Sequence, residues 1–297
     1  MVSPGILLVD KPAGLTSHDV VARTRRAFGT RKVGHAGTLD PMATGLLVIG
    51  IEGATRLLTY VVGADKTYAA TIRLGQSTST DDAEGDIVTT APSDAWKHVS
   101  PERIAAGITA LSGPISQVPS SVSAIKVDGR RAYDRVRAGE EVVLAARDVV
   151  VSRFDLLAER SGEGYIDLDV IVDCSSGTYI RSLARDLGAG LGVGGHLTAL
   201  RRTRVGPFEV TDAVSIDALD GAETLTAGAA AARILQALPV SAEEARDLRH
   251  GKRLAGQADR LDGAIAAAID EHGDLVGIVE KRGADLKSAM NMPEAAG

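Results

Sequence analysis

The chain has 297 residues, 44% of them hydrophobic, enough to bury one large core or a large one and a small one and too many for general disorder. Its 33 Lys and Arg stand against 39 Asp and Glu, a net charge of −6, which excludes a uniformly basic nucleic-acid coat but not local basic faces. The lone cysteine, Cys174, excludes a disulfide framework and a cysteine-built zinc site, and no apolar run approaches the roughly 18–20 residues that span a bilayer. The first residues carry no basic stretch and turn polar at Asp10, unlike a secretion signal, so the expected compartment is the cytoplasm.

In chain order, Ile6–Val9 reads as a short strand that ends in a turn at Asp10-Lys11-Pro12-Ala13-Gly14. A helix follows with Ser17 as the expected N-cap, burying Val20, Val21, Thr24, Ala27 and Phe28 while Arg23 and Arg26 face away. Leu46–Ile51 and Tyr68–Leu74 are expected strands, and Ser100-Pro101 opens a helix that closes near Gly113. Residues 114–141, rich in Ser, Gly and Arg, read as an excursion from the core. Tyr165–Cys174 alternates apolar and acidic as a half-buried strand, and Ser175-Ser176-Gly177 turns it into a helix with Ile180, Leu183, Ala184 and Leu187 inward. On that helix Arg181 and Arg185, one turn apart, share a second face. Residues 217–235 read as a helical tail and domain boundary. Beyond them a Ser241/Glu244 capping box and a hairpin across residues 271–274 suggest a small, mainly β, separate module.

Three patterns imitate known sites and fail. Gly190, Gly192 and Gly195 fit a dinucleotide fingerprint, but they follow a helix instead of a strand. Asp82, Glu84 and Asp86 begin like a calcium loop, which then has Ile87 where glycine is needed and Ser93 where glutamate is needed. The six histidines show no metal-binding spacing. Neither a metal nor a cofactor is therefore expected.

Basic residues gather at 23–32, at 126–137 and at Arg201, Arg202 and Arg204, a pattern that favours a polyanionic partner. The densest segment is Gly34-His35-Ala36-Gly37-Thr38-Leu39-Asp40-Pro41-Met42-Ala43-Thr44-Gly45, read as a compact loop running into the Leu46–Ile51 strand. Asp40 either starts a turn, as Asp-Pro commonly does, or is an aimed functional carboxylate.

This segment resembles the catalytic-aspartate motif of the TruB family of tRNA pseudouridine synthases. Four more motifs match that family in order: Asp10–Ser17, Lys66-Thr67-Tyr68, Ser123-Ala124-Ile125-Lys126 with Gly129 and Tyr133, and Gly177-Thr178-Tyr179-Ile180-Arg181. The family's Pro-Pro-aromatic ahead of Ser-Ala is replaced here by Pro119-Ser120-Ser121-Val122. The resemblance spans roughly residues 5–215. It implies an α+β fold: a pseudouridine synthase catalytic domain (1–235) with a central mixed, mainly antiparallel sheet flanked by helices and an RNA-binding insertion at about 114–141. A small PUA-like β module (236–297) follows.

The implied activity is isomerisation of uridine 55 in the tRNA T loop to pseudouridine, without cofactor, by a monomer with no obligate protein partner. The implied catalytic residues are Asp40, Arg181 (its ion-pair partner) and Tyr68, which lies against the target base. The implied substrate-binding residues are His35, which fills the space of the extruded nucleotide, Leu200 as an apolar wall, and Lys11, Lys126, Arg130, Arg131, Arg135 and Arg137. Competing readings are a non-catalytic tRNA-binding or folding protein on the same scaffold, the guide-RNA-dependent branch of the superfamily, and a glycosidase-like hydrolase. The hydrolase lacks the expected second carboxylate.

Overall fold

The structure is a computed structural model and describes residues 2–120, 126–127, 130–131 and 144–293. In chain order it runs β1 (Gly5–Lys11), α1 (Ser17–Ala27), β2 (Val33–Ala36), β3 (Thr44–Ile51), α2 (Leu58–Val62) and β4 (Lys66–Leu74). A hairpin of β5 (Gln76–Thr78) and β6 (Ile87–Thr90) leads to α3 (Pro101–Ala110) and β7 (Gly113–Gln117). After the short strands β8 (Lys126–Val127) and β9 (Arg130–Arg131) come β10 (Arg147–Gly162), β11 (Tyr165–Cys174), α4 (Ile180–Leu191) and β12 (Gly195–Val205). The chain continues through β13 (Phe208–Glu209), β14 (Val214–Ser215), β15 (Leu225–Thr226) and α5 (Ala227–Ile234). It ends with β16 (Ala237–Pro239), α6 (Ala242–Arg249), β17 (Ile265–Ile269), β18 (Leu275–Arg282) and β19 (Asp285–Asn291).

The chain divides into two compact units. The first comprises residues 1–41, 45–63 and 205–297, and the second residues 42–44 and 64–204. In the first, β1 and β3 pair antiparallel (Leu8 opposite Val48) and β14 joins β1 in parallel. The central residues of β1 and β3, Ile6–Val9 and Leu46–Ile49, are continuously apolar because both faces are covered. Leu7, Val9, Leu47 and Ile49 meet Val20 and Val21 of α1, while Ile6, Leu8, Leu46 and Val48 share a core with Phe208, Ala230 and Ile278. The last strands form a four-stranded sheet, β16–β17–β18–β19, that also has a core of its own around Leu238, Leu248, Val276 and Leu286.

In the second unit the strand order is β12–β4–β11–β10–β7, with antiparallel pairing from β4 through β7. Alternation divides β4 in two: Tyr68, Ala70, Ile72 and Leu74 are buried, while Thr67, Thr71 and Arg73 take the other face. On that face Thr67, Thr71 and Arg73 bond Asp173, Asp169 and Asp167 of β11, and the Arg73 guanidinium lies 3.9 Å above the Tyr165 ring. The acids that alternate through β11 are thus cross-strand partners.

Several local expectations are corrected. Thr16, not Ser17, is the N-cap of α1, in a capping box with Asp19. Lys11 closes β1 instead of starting a turn, because it stays paired with Gly45. Residues 34–36 belong to β2, and residues 113–117 are a sheet strand held by β10, so neither segment is wholly loop. In the 217–235 stretch only 227–234 is a regular α-helix. It is core, not tail, since Ala227, Ala230 and Ala231 are buried and a Cβ on Gly228 would stand 2.0 Å from the Gly273 carbonyl oxygen. Among the described residues no helix is long and apolar enough to cross a membrane.

Candidate active site

Asp40 lies in the loop between β2 and β3, partly exposed, and both of its neighbours are fastened. The Leu39 N–H donates to Ser17 Oγ (2.9 Å), and Ser17 Oγ donates back to the Leu39 carbonyl (3.2 Å). The Pro41 carbonyl accepts from the Gly14 N–H (2.8 Å) and from Lys11 Nζ (3.2 Å). Gly37 supplies a left-handed turn (φ +83°) that a side chain would oppose. The backbone that carries Asp40 is thus held on both sides.

Two sequence-level assignments change here. Lys11, expected as a substrate-binding cation, is fully buried with its ammonium on the Pro12, Leu15 and Pro41 carbonyls, which ties β1 to the Asp40 loop. Ser17, expected only as a helix cap, clamps the same loop. His35 sits in β2 opposite Ile49, half-buried, with its ring edge-on to His18 at 5.6 Å.

In the second unit Tyr68 is buried on β4 opposite Val172, and Leu200 is buried on β12. Leu200 and Arg201 line a groove of about 400 Å³ together with Met42, Thr44, Thr71 and Leu157. Arg181, near the start of α4, is 5% exposed and therefore no ordinary surface arginine. Its Nη1 donates to the Thr80 carbonyl (3.0 Å) and lies 3.3 Å from Asp82 Oδ2.

Asp82 is the buried partner of Arg181 that sequence reasoning misses. Dismissed with a failed calcium loop, it is 2% exposed at the tip of the β5–β6 hairpin. Its carboxylate also accepts from Thr80 Oγ1 (2.5 Å) and the Glu84 N–H (3.0 Å), and Thr78 Oγ1 holds its carbonyl (2.7 Å). A buried, hydrogen-bonded carboxylate beside a buried guanidinium compensates both charges and fixes the plane of the fork. The available signal was the Thr78-Ser79-Thr80-Asp81-Asp82 run, whose hydroxyls are suited to bonding within a hairpin tip.

Below Tyr68, Lys66 is buried opposite Cys174, its Nζ on the Ala64 carbonyl (2.5 Å). Burial first, then the Arg202 guanidinium, pull the Lys66 ammonium down to about 8, while burial pushes the Cys174 thiol up to about 11. Between pH 8 and 9 the unfolded chain keeps the Lys66 proton and the folded chain sheds it, so this group makes stability rise with pH. Above pH 9 ionisation of unfolded Cys174 opposes it. Chemical denaturation of the wild type and of Lys66→Met at pH 8.0 and 9.0 should show that the substitution removes part of the wild type's gain; an equal pH response in both would contradict the assignment.

The basic clusters divide. Arg23, Arg25, Arg26, Arg31 and Lys32 are exposed on the first unit. Arg202 is fully buried, so the expected solvent-facing trio at 201–204 is reduced; Arg204 bonds Thr67 Oγ1 (2.9 Å) on the sheet face. Lys126 (β8) and Arg131 (β9) are register partners in a short two-stranded sheet that also holds Arg130. Arg135, Arg137 and the Ser123-Ala124-Ile125, Gly129 and Tyr133 parts of the motif lie outside the described residues.

The mixed, mainly antiparallel sheet flanked by helices is the scaffold of the pseudouridine synthases, and comparison with known proteins agrees. Residues 25–180 match the family described as TruB family pseudouridylate synthase (N terminal domain). Residues 181–245 match the tRNA pseudouridylate synthase B C-terminal domain, and residues 235–293 match tRNA Pseudouridine synthase II, C terminal. The tRNA pseudouridine synthase B of Leifsonia xyli subsp. xyli is 59% identical over 99% of this chain and 98% of its own length. That of Nocardia farcinica is 55% identical over 94% and 90%. Among solved structures, a Cbf5-Nop10-Gar1 complex covers 98% of this chain and 84% of its counterpart, with a TM-score of 0.68 and 25% identity. The chain belongs to the TruB family of pseudouridine synthases.

Proposed function

We propose that this enzyme isomerises uridine 55 in the T loop of tRNA to pseudouridine, with Asp40 as the essential carboxylate. The observation that carries the reading is the Asp40 loop, whose backbone is fastened on both sides of that one carboxylate-bearing residue. The reaction breaks C1′–N1, forms C1′–C5, releases the C5 proton and leaves a proton on N1. No electrons or groups are exchanged with another molecule, so no cofactor is required. Asp40 attacks the sugar, attacks the base, or removes a proton from the sugar; each role needs it ionised and close.

Arg181, held by Asp82, keeps that carboxylate ionised and oriented. Tyr68 lies against the base, Leu200 walls the pocket, and His35 occupies the gap left by the extruded nucleotide, lowering the cost of flipping it. A splayed T loop suits recognition by shape and stacking. Residues 1–235 form the catalytic domain, with the insertion at about 114–141, and residues 236–297 a PUA-like RNA-binding module. The enzyme works as a cytoplasmic monomer.

The test is to incubate an unmodified tRNA transcript with the purified chain alone and map pseudouridine. Modification at position 55, lost when uridine 55 is replaced by cytidine, is expected. A bare transcript left unmodified unless guide RNA or protein partners are added would overturn the reading. Replacing Arg130, Arg131, Arg135 and Arg137 together with Ala should raise KM for tRNA far more than it lowers the single-turnover rate at saturation, because these residues supply binding common to ground and transition states. An unchanged KM with a collapsed rate would move them into the active site.

A further inference from the structure

Arg185 lies one helical turn beyond Arg181 on α4 and reaches the same hairpin tip. Its Nη1 is 3.4 Å from Asp81 Oδ2, its Nη2 donates to the Val118 carbonyl (2.8 Å), and its Nε bonds Asp186 Oδ1 (2.9 Å). Asp81 has a left-handed backbone (φ +60°), a conformation that Asp tolerates better than most residues. The adjacent acids Asp81 and Asp82 thereby meet successive arginines of the helix, Arg185 and Arg181.

Val118 is the residue after β7, at the root of the insertion. The residues flanking it are fastened in the same direction. Ser120 Oγ donates to the Thr80 carbonyl (3.3 Å), the oxygen that also accepts from Arg181. Gln117, 2% exposed, accepts from the Tyr179 N–H (2.8 Å) and donates to the Tyr179 carbonyl (3.1 Å) at the N-cap of α4, where no side chain of the helix itself caps. The hairpin tip, the insertion root and the first turns of α4 form one mount, and Arg181 sits in its middle.

We infer that Arg185 is a positioning residue for Arg181: by gripping Asp81 and the Val118 carbonyl together it fixes the hairpin tip and insertion root against which the Arg181 guanidinium is aligned. A surface arginine making one exposed ion pair would contribute little. Arg185 spreads three edges of its fork over three partners, and a flexible ammonium reproduces that poorly. The inference rests on the reading of Arg181 as part of the catalytic site.

The test measures pseudouridine formation in single turnover at saturating tRNA, with KM beside it, for Arg185→Gln, Arg185→Lys, Arg181→Lys and the double variant Arg181→Lys/Arg185→Gln. Arg185→Gln should lower the saturating rate about tenfold, the scale of one lost charge-assisted hydrogen bond, with KM nearly unchanged, and Arg185→Lys should restore part of it. The double variant should be no slower than Arg181→Lys alone, because Arg185 acts only through Arg181. A wild-type rate in Arg185→Gln, an effect on KM alone, or additive losses in the double variant would overturn the inference. Should Arg185→Gln fail to fold, Asp81→Asn decides: it suits the left-handed backbone, removes the charge facing Arg185, and should show the same slowing and the same lack of additivity with Arg181→Lys. A slow Arg181→Lys beside a wild-type-like Arg185→Gln refutes this inference alone; an Arg181→Lys enzyme at full rate refutes the underlying reading.

Discussion

Asp40→Asn is expected to lower the single-turnover rate of pseudouridine formation on the order of 10⁴-fold or more while leaving tRNA affinity intact. The amide keeps the size of the side chain. Leu39 and Pro41 fasten the loop through backbone contacts that the change leaves in place. What is lost is the charge, and an amide is a very poor nucleophile and base. RNA is held by distributed phosphate and base contacts, so affinity should hold or tighten slightly as a negative charge leaves. The two quantities need to be measured on the same preparation. Equal losses of binding and rate would instead assign the loop a structural role.

The second large effect is expected at Asp82. Asp82→Asn removes a buried carboxylate 3.3 Å from the Arg181 guanidinium, which should cost on the order of 3 kcal/mol of stability. It should also slow catalysis about ten- to a hundredfold through misalignment of Arg181, on the scale of one charged hydrogen bond. Thermal melting and a rate measured well below the melting temperature separate the two consequences. A destabilised variant with an undiminished rate would make Asp82 a purely structural partner of Arg181. Asp82→Ala, which also removes the acceptor for Thr80 and the Glu84 N–H, should be the more damaging of the two.

The legibility of this protein in its sequence follows what each signal depends on. Tyr165–Cys174 was readable to the residue because strict alternation has only one placement on a half-buried strand. The Ser241/Glu244 capping box was equally readable, being closed within four residues. The roles of Lys11 and Ser17 were not, because each is set by a loop more than twenty residues away: Lys11 bonds the Pro41 carbonyl and Ser17 the Leu39 backbone. Residues 113–117 read as irregular because an edge strand of Gly-Pro-Ile-Ser-Gln carries little apolar periodicity, and its pairing with Arg147–Val151 supplies what the sequence lacks. Asp82 was hidden most fully. A buried ion pair between residues about a hundred positions apart leaves no local spacing to read, and the neighbouring Glu84 and Asp86 made the acid look like part of an exposed cluster.

Exchange of the glycosidic C–N bond of one tRNA uridine for a C–C bond, with Asp40 as the carboxylate that performs it, must free the hydrogen on C5. The most direct measurement is release of tritium to water from tRNA transcribed with 5-tritiated uridine, in the presence of wild type or Asp40→Asn enzyme. Wild type is expected to release the label of one uridine per tRNA, and the variant, while still binding the tRNA, essentially none. Release by Asp40→Asn at a rate near that of wild type would contradict that role of Asp40.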